Sequence, residues 1–191
     1  MDIVEFIRHE VENKCLRENN VFGYGIWSHH IVSVVKNAKT LAEKIGADIE
    51  IVEIASLLHD YASIKDYSKH DEHHIYGAKE AEVILNKLNY PKDKIEKVKD
   101  CIISHRGSIQ IHKKSKEAVC VADADAIAHI ENVTSLLYFA YCKQGLGIDE
   151  GAEWVNNKIK RSWDKLSNEG KILIRDKYNS VQEMLNFDLK L

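Results

Sequence analysis

Apolar residues recur at three- and four-residue intervals along nearly the whole chain. Ile3, Phe6, Ile7 and Val11 form one such stripe, then Ile31, Val34, Val35, Ala38, Leu41 and Ile45, then Ile51, Ile54, Ala55 and Leu58. That period stacks side chains on one face of an α-helix, and strand-like alternation is almost absent. The pattern returns at Ala78, Ala81, Ile84, Leu85 and Leu88, and Tyr90-Pro91 follows. Proline suits the first turn of the next helix, which carries Ile95, Val98 and Ile102. Further helices are predicted over residues 115–130, 132–144, 149–166 and 170–187. Breaks are predicted at Gly23-Tyr24-Gly25, Gly46, Ser63 to Asp71, Gly107 and Gly145-Leu146-Gly147. The expectation is an all-α protein of roughly eight or nine helices.

A length of 191 residues fits one domain. No repeat or Pro/Ser-rich linker divides the chain, so residues 1–191 are read as a single unit. The composition, 45% hydrophobic and 30% charged, supports a core and argues against disorder. With 27 Lys+Arg against 30 Asp+Glu the formal charge is −3 and no basic stripe stands out. A stable nucleic-acid complex, which needs phosphate neutralisation, is not expected. Apolar runs are too short to span a membrane, and Met1 to Glu5 lacks a secretory order of charge, so a cytoplasmic protein is expected. Cys15, Cys101, Cys120 and Cys142 are widely spaced and read as reduced thiols, mostly core fillers. One proline suits long helices, and ten histidines make their placement the main question.

Several ionisable residues fall on apolar stripes, where burial is costly unless a partner is supplied. His30 shares a face with Val34, Ala38, Leu41 and Ile45, whereas His29 falls on a solvated face with Ser33 and Lys36. The stripe of Ala55, Leu57 and Leu58 ends in His59-Asp60. His74 aligns with Gly77, Ala78, Ala81 and Leu85, and His105 extends the stripe of Ile95, Val98 and Ile102. Asp123 lies with Val119, Ala126, Ile127 and Ile130. Each residue alone reads as a satisfied core or capping group. Taken together, they could converge on a shared divalent cation, which would satisfy neutral imidazoles and carboxylates at once. His9, His70 and His73 read as solvated, and His129 reads as a surface pair with Asp125 four residues earlier.

Three segments then acquire a joint meaning: His30-Ile31-Val32-Ser33-Val34, Ala55-Ser56-Leu57-Leu58-His59-Asp60, and Val121-Ala122-Asp123-Ala124-Asp125. Their order, His, His-Asp, Asp, resembles the HD-domain superfamily of metal-dependent phosphohydrolases, most closely over residues 20–130. The remaining segment, 131–191, with Asn157-Lys158-Ile159, is similar to the tail of small bacterial and archaeal HD hydrolases and is expected to pack on that core. The resemblance implies an all-α HD bundle in which His30, His59, Asp60 and Asp123 hold one divalent metal. It further implies that His74 and His105 serve a second metal while Asp60 bridges. The chain departs from related hydrolases at Ala126-Ile127-Ala128, where Arg-Leu-Asp is more usual.

The activity so implied is hydrolysis of a phosphate ester of a nucleotide or similar small molecule, as monoesterase or diesterase. Mn, Fe, Co, Ni, Zn or Mg, as one or two ions, would activate water and polarise a phosphoryl oxygen. Arg106 and Lys65 are the candidate charge-stabilising cations, and His74 or His105, where not ligating, the candidate general acid. Two other readings stay open: a metal-containing nucleotide-sensing or scaffold module without turnover, and a di-iron oxygenase. The amphipathic C-terminal helices, carrying Trp154, Ile159, Trp163 and Leu166 and then Ile172, Ile174, Val181 and Leu185, are expected to pack on the domain or on a second copy.

Overall fold

A computed structural model of the protein describes residues 2–106 and 111–186. The expected break at Gly107 and the last residue of the final predicted helix, 187, lie outside that range. The described residues are helical without a strand. Helix α1 (Ile3–Cys15) starts where Asp2 accepts a hydrogen bond from Val4 N, and α2 (Val32–Ile45) is entered through a π-helical turn at Trp27–Ile31. Helix α2 ends at Gly46, whose φ of 68° lies in the left-handed region that glycine tolerates. Asp48 then caps α3 (Ile49–Leu58) by accepting from Glu50 N and Ile51 N.

The short α4 (Tyr61–Lys65) and a 3₁₀ turn (Tyr67–Glu72) lead to α5 (His73–Lys87), and α6 (Lys92–Ser104) follows Pro91. After them come α7 (Lys116–Glu131), α8 (Val133–Tyr138) with a π-helical extension at Phe139–Lys143, α9 (Ile148–Asp164) and α10 (Asn168–Leu185). The polar stretch 63–71, expected as a loop, is therefore largely helical. Its start is held down by Tyr61, Ala62 and Ile64, all buried. None of the described helices is long and apolar enough to cross a membrane.

Two helices form the interior. Helix α3 is apolar nearly all round and buried from Ile51 to Leu58, the pattern of a core helix. Each fully buried Ile or Leu there contributes about 1.5–3 kcal/mol. Its buried Glu53 is satisfied by Arg8 and Lys39, each at 2.7 Å. Helix α7 is rich in alanine and packs against α2, α3, α6, α9 and α10. Small side chains at Ala122, Ala124, Ala126 and Ala128 let neighbours approach on every side. Helix α5 closes on the end of α3 at Gly77, where a Cβ would stand 3.2 Å from both the His59 carbonyl oxygen and Ile102 Cγ2. That contact sets the His-Asp step beside the start of α5.

Candidate metal centre

Five elements deliver ionisable side chains to one spot. The π-helical turn before α2 supplies His30. Helix α3 ends at His59, and Asp60 is the next residue. The first turn of α5 supplies His73, the residue after α6 is His105, and the middle of α7 supplies Asp125. His30 Nε2 and His59 Nε2 lie 3.1 Å apart, and Asp60 Oδ2 is 3.3 Å from the first and 3.4 Å from the second. Asp125 Oδ1 is 3.5 Å from His30 Nε2 and 3.9 Å from His59 Nε2. On the other side of Asp60, Oδ1 is 3.6 Å from His73 Nε2, which stands 3.0 Å from His105 Nε2. His30, His59 and Asp125 form one group whose ligand atoms all lie within 4.8 Å of one another. His59, Asp60 and His105 form a second.

The backbone sets the tautomers. His59 Nδ1 lies 2.7 Å from the Ser56 carbonyl, His73 Nδ1 2.6 Å from that of His70, and His105 Nδ1 2.5 Å from that of Ile102. A carbonyl only accepts, so in each ring Nδ1–H donates and, in the neutral ring, Nε2 presents a bare lone pair. His73 and His105 thus turn lone pairs toward each other at 3.0 Å, an arrangement that calls for a cation between or beside them. Fixing the distal nitrogen through a carbonyl is the usual way of orienting a ligating histidine. The donor set fits a divalent ion on these grounds.

The electrostatics are strongly coupled. Burial opposes charge on His59, but Asp60 foremost and then Asp125 outweigh it and raise its imidazole to about 9. His105, equally buried, is pushed down to about 3 by burial and by the charge of His59. Burial also opposes the ionised forms of Asp60 and Asp125. The His59 charge and His30 hydrogen bond at Asp60, and the Lys165 ammonium at Asp125, nevertheless hold both carboxyls well below the usual range.

Two cavities meet at this cluster, and Asp60, His70, His129 and Lys158 line both. The larger, about 560 Å³, has an aromatic wall in which Phe22 stacks on Phe139 at 5.6 Å, with Trp154 beyond. The smaller, about 220 Å³, is charged, bordered by Arg106, Lys158, Arg161 and Lys165 and by Asp60, Asp71 and Asp125.

Of the residues expected from the sequence, His30, His59, Asp60 and His105 come together. Asp123 does not. Its carboxylate faces the other side of α7, where it accepts from Ser167 N at 3.1 and 3.2 Å and from the Ser167 hydroxyl at the start of α10. Positions two apart on a helix point to opposite sides, and α7 is buried on both, so an apolar stripe cannot tell Asp123 from Asp125. His74 is buried as its stripe requires, but Arg106 stands over its Nδ1 at 3.4 Å, and the neighbouring His73 enters the cluster. His73, less buried than His74, is the one whose ring reaches Asp60 and His105.

Arg106 borders the smaller cavity and also donates to the Asp71 carbonyl. Lys65 pairs with Glu80 at 2.7 Å and lines neither cavity. His129 does pair with Asp125, at 3.6 Å, but not on the surface: its ring stacks on His30 at 5.0 Å. Sequence reasoning assigned no site role to Lys158 and Lys165. No local signal marks them, because their position depends on how α9 packs across the site.

The match to the HD domain covers residues 27–130, and the chain belongs to the HD-domain family. Among curated proteins it is similar to Ribonuclease Y of Mycoplasma capricolum, 33% identical over 113 residues. That alignment takes in 59% of this chain and 20% of the relative, so the chain spans about a fifth of the length of these enzymes. Among solved structures it resembles Bacillus subtilis YpgQ in complex with ADP, with a TM-score of 0.67, 20% identity and 98% of each chain covered. It also resembles the Lin1889 protein of Listeria innocua, with a TM-score of 0.65, 20% identity, and 97% and 94% covered. At that identity the two structures show a shared fold.

Proposed function

We propose that this protein is a metal-dependent phosphohydrolase that cleaves a phosphate ester of a nucleotide. The observation that carries the reading is the convergence of the Nε2 atoms of His30, His59, His73 and His105 on Asp60 and Asp125, where an aromatic cavity meets a charged one. His30, His59, Asp60 and Asp125 would hold one divalent ion, and His105 and His73 a second, with Asp60 reaching both. Mn, Fe, Co, Ni, Zn and Mg all accept such donors. When bound, the metal supplies Lewis acidity to a phosphoryl oxygen and makes a water acidic enough to attack phosphorus near neutral pH.

The chain's own residues do the rest. The carbonyl-anchored rings of His59, His73 and His105 hold their donor atoms in place before substrate arrives. Lys158 and Arg106, on the walls of the smaller cavity, oppose the negative charge that develops on the phosphoryl oxygens. Phe22, Phe139 and Trp154 offer flat apolar surface to a nucleobase. The ADP complex of a protein sharing this fold supports a nucleotide ligand. The Ribonuclease Y match brings in a phosphodiester alternative, which the formal charge of −3 disfavours for long nucleic acid.

The test is phosphate or nucleotide release from mono-, di- and triphosphates, cyclic nucleotides, aryl phosphates and a short oligoribonucleotide, with each divalent metal. Asp60→Ala is run beside the wild type. Metal-dependent release that vanishes in the variant is expected. If no compound is turned over under any metal, the protein is instead a sensing module.

A further inference from the structure

The family match ends at residue 130, yet the turn between α9 and α10 grips α7 at both of its aspartates. Lys165 Nζ donates to Asp125 Oδ2 at 2.6 Å and to the His105 carbonyl at 3.2 Å. Two residues on, Ser167 holds Asp123. Asp125 is therefore divided between two tasks: Oδ2 is tied to Lys165, and Oδ1 faces His30 and His59. Oδ1 also has a competing partner, since His129 Nε2 is 3.6 Å away. A carboxylate free to rotate would share its oxygens among these imidazoles, whereas one pinned at Oδ2 presents Oδ1 in one direction. The same ammonium reaches the carbonyl of His105, so one side chain spans α7 and the end of α6, which carry ligands of both candidate groups.

We infer that Lys165 is a positioning residue for the metal centre, holding Asp125 as a one-oxygen ligand and registering it against His105. The inference rests on the metal reading above. The ammonium also repels a nearby divalent ion, which works against affinity. Pre-organisation is the larger effect, because partners that orient ligating side chains commonly change metal affinity about 10–100-fold when removed.

The test is Mn²⁺ titration of the metal-free full chain, followed by loss of the free-ion EPR signal, so that no turnover is needed. Lys165→Met is expected to weaken Mn²⁺ binding about 10–100-fold. Lys165→Arg, which can still reach both oxygens, is expected to recover most of the loss. Lys113→Ala is the structural control. Lys113 donates to the Lys165 carbonyl at 3.2 Å, so its removal loosens the same turn and leaves the Lys165 side chain in place. Lys165→Gln, which keeps a donor without the charge, is the second variant should the methionine form not fold, and is expected to bind more weakly than wild type. The inference is overturned if the neutral variant that folds binds Mn²⁺ within about threefold of wild type, or if Lys113→Ala loses as much. Wild-type chain that binds no divalent metal overturns the metal reading together with this inference.

Discussion

The helices inside the family match meet α7 through its Asp125, whereas the elements after the match hold both of its aspartates. Toward α2 and α3, α7 presents Asp125 to an assembly of histidines that would hold metal. Toward α10 it presents Asp123, which meets the first turn of that helix so closely that a Cβ on Gly170 would stand 2.6 Å from its Oδ2. The frame from the π-helical turn before α2 to α7 supplies the candidate ligands. The C-terminal helices supply Lys158, Arg161 and Lys165, the cations that the frame lacks on that side apart from Arg106. The division teaches that an ordered motif can mark the segments that converge while the cations beside them come from elsewhere in the chain.

Breaking the frame has the largest expected effect. His59→Ala and Asp60→Ala should each abolish metal retention and turnover while circular dichroism keeps helix content near wild type. Undiminished turnover in both would refute the centre.

The sharpest division of the two sides of α7 is an aspartate pair. Asp125→Asn should lose metal binding. Asp123→Asn should retain it and lower stability by about 1–2 kcal/mol through a weakened hold on the start of α10. Metal titration and thermal melts of both variants decide, and the reverse outcome would restore Asp123 as the ligand. In the larger cavity, Phe139→Ala should weaken nucleotide binding by about 1–3 kcal/mol, the range for lost base stacking, while leaving small aryl phosphates less affected. Equal effects on both would remove the nucleobase from that wall.

The smallest expected effect concerns the seam itself. Glu131, at the end of α7, accepts from Ser33 and Asn37 of α2 and pairs with Lys177 of α10 at 2.6 Å. Burial opposes its charge, but Lys177 and Asn37 outweigh this and hold the carboxyl below its ordinary 4.5. A depressed carboxyl stabilises the fold above its unfolded value and loses that contribution as pH falls through the folded one. The melting temperature should therefore drop as pH falls below about 4.5, and Glu131→Gln should flatten that part of the profile by about 1 kcal/mol or less. An unchanged profile would show that the seam carries no charge-dependent stability.

Much of this was legible in advance. The helical period marks the long helices to within a few residues, as at 149–166 against Ile148–Asp164. It misses α4 because a single buried turn carries too few residues to show a period. The order His30, His59-Asp60 and then an aspartate on α7 marks segments that the fold brings together. At two positions the cluster holds a near neighbour of the expected residue, Asp125 beside Asp123 and His73 beside His74, because an apolar stripe reports burial and not which side chain turns toward a cavity. The sequence places His129 on the surface because nothing local reveals that α9 covers it through Ser162.

What the sequence by itself determined is the all-α class, the HD family and the helices that carry its histidines and aspartates, since those follow from periodicity and from residues adjacent in the chain. What only the tertiary structure decided is which of two neighbouring aspartates and histidines turn inward, and that Lys158 and Lys165 border the site. Those choices depend on crossing geometry between helices dozens of residues apart, where a shift of one residue turns a side chain by about 100°.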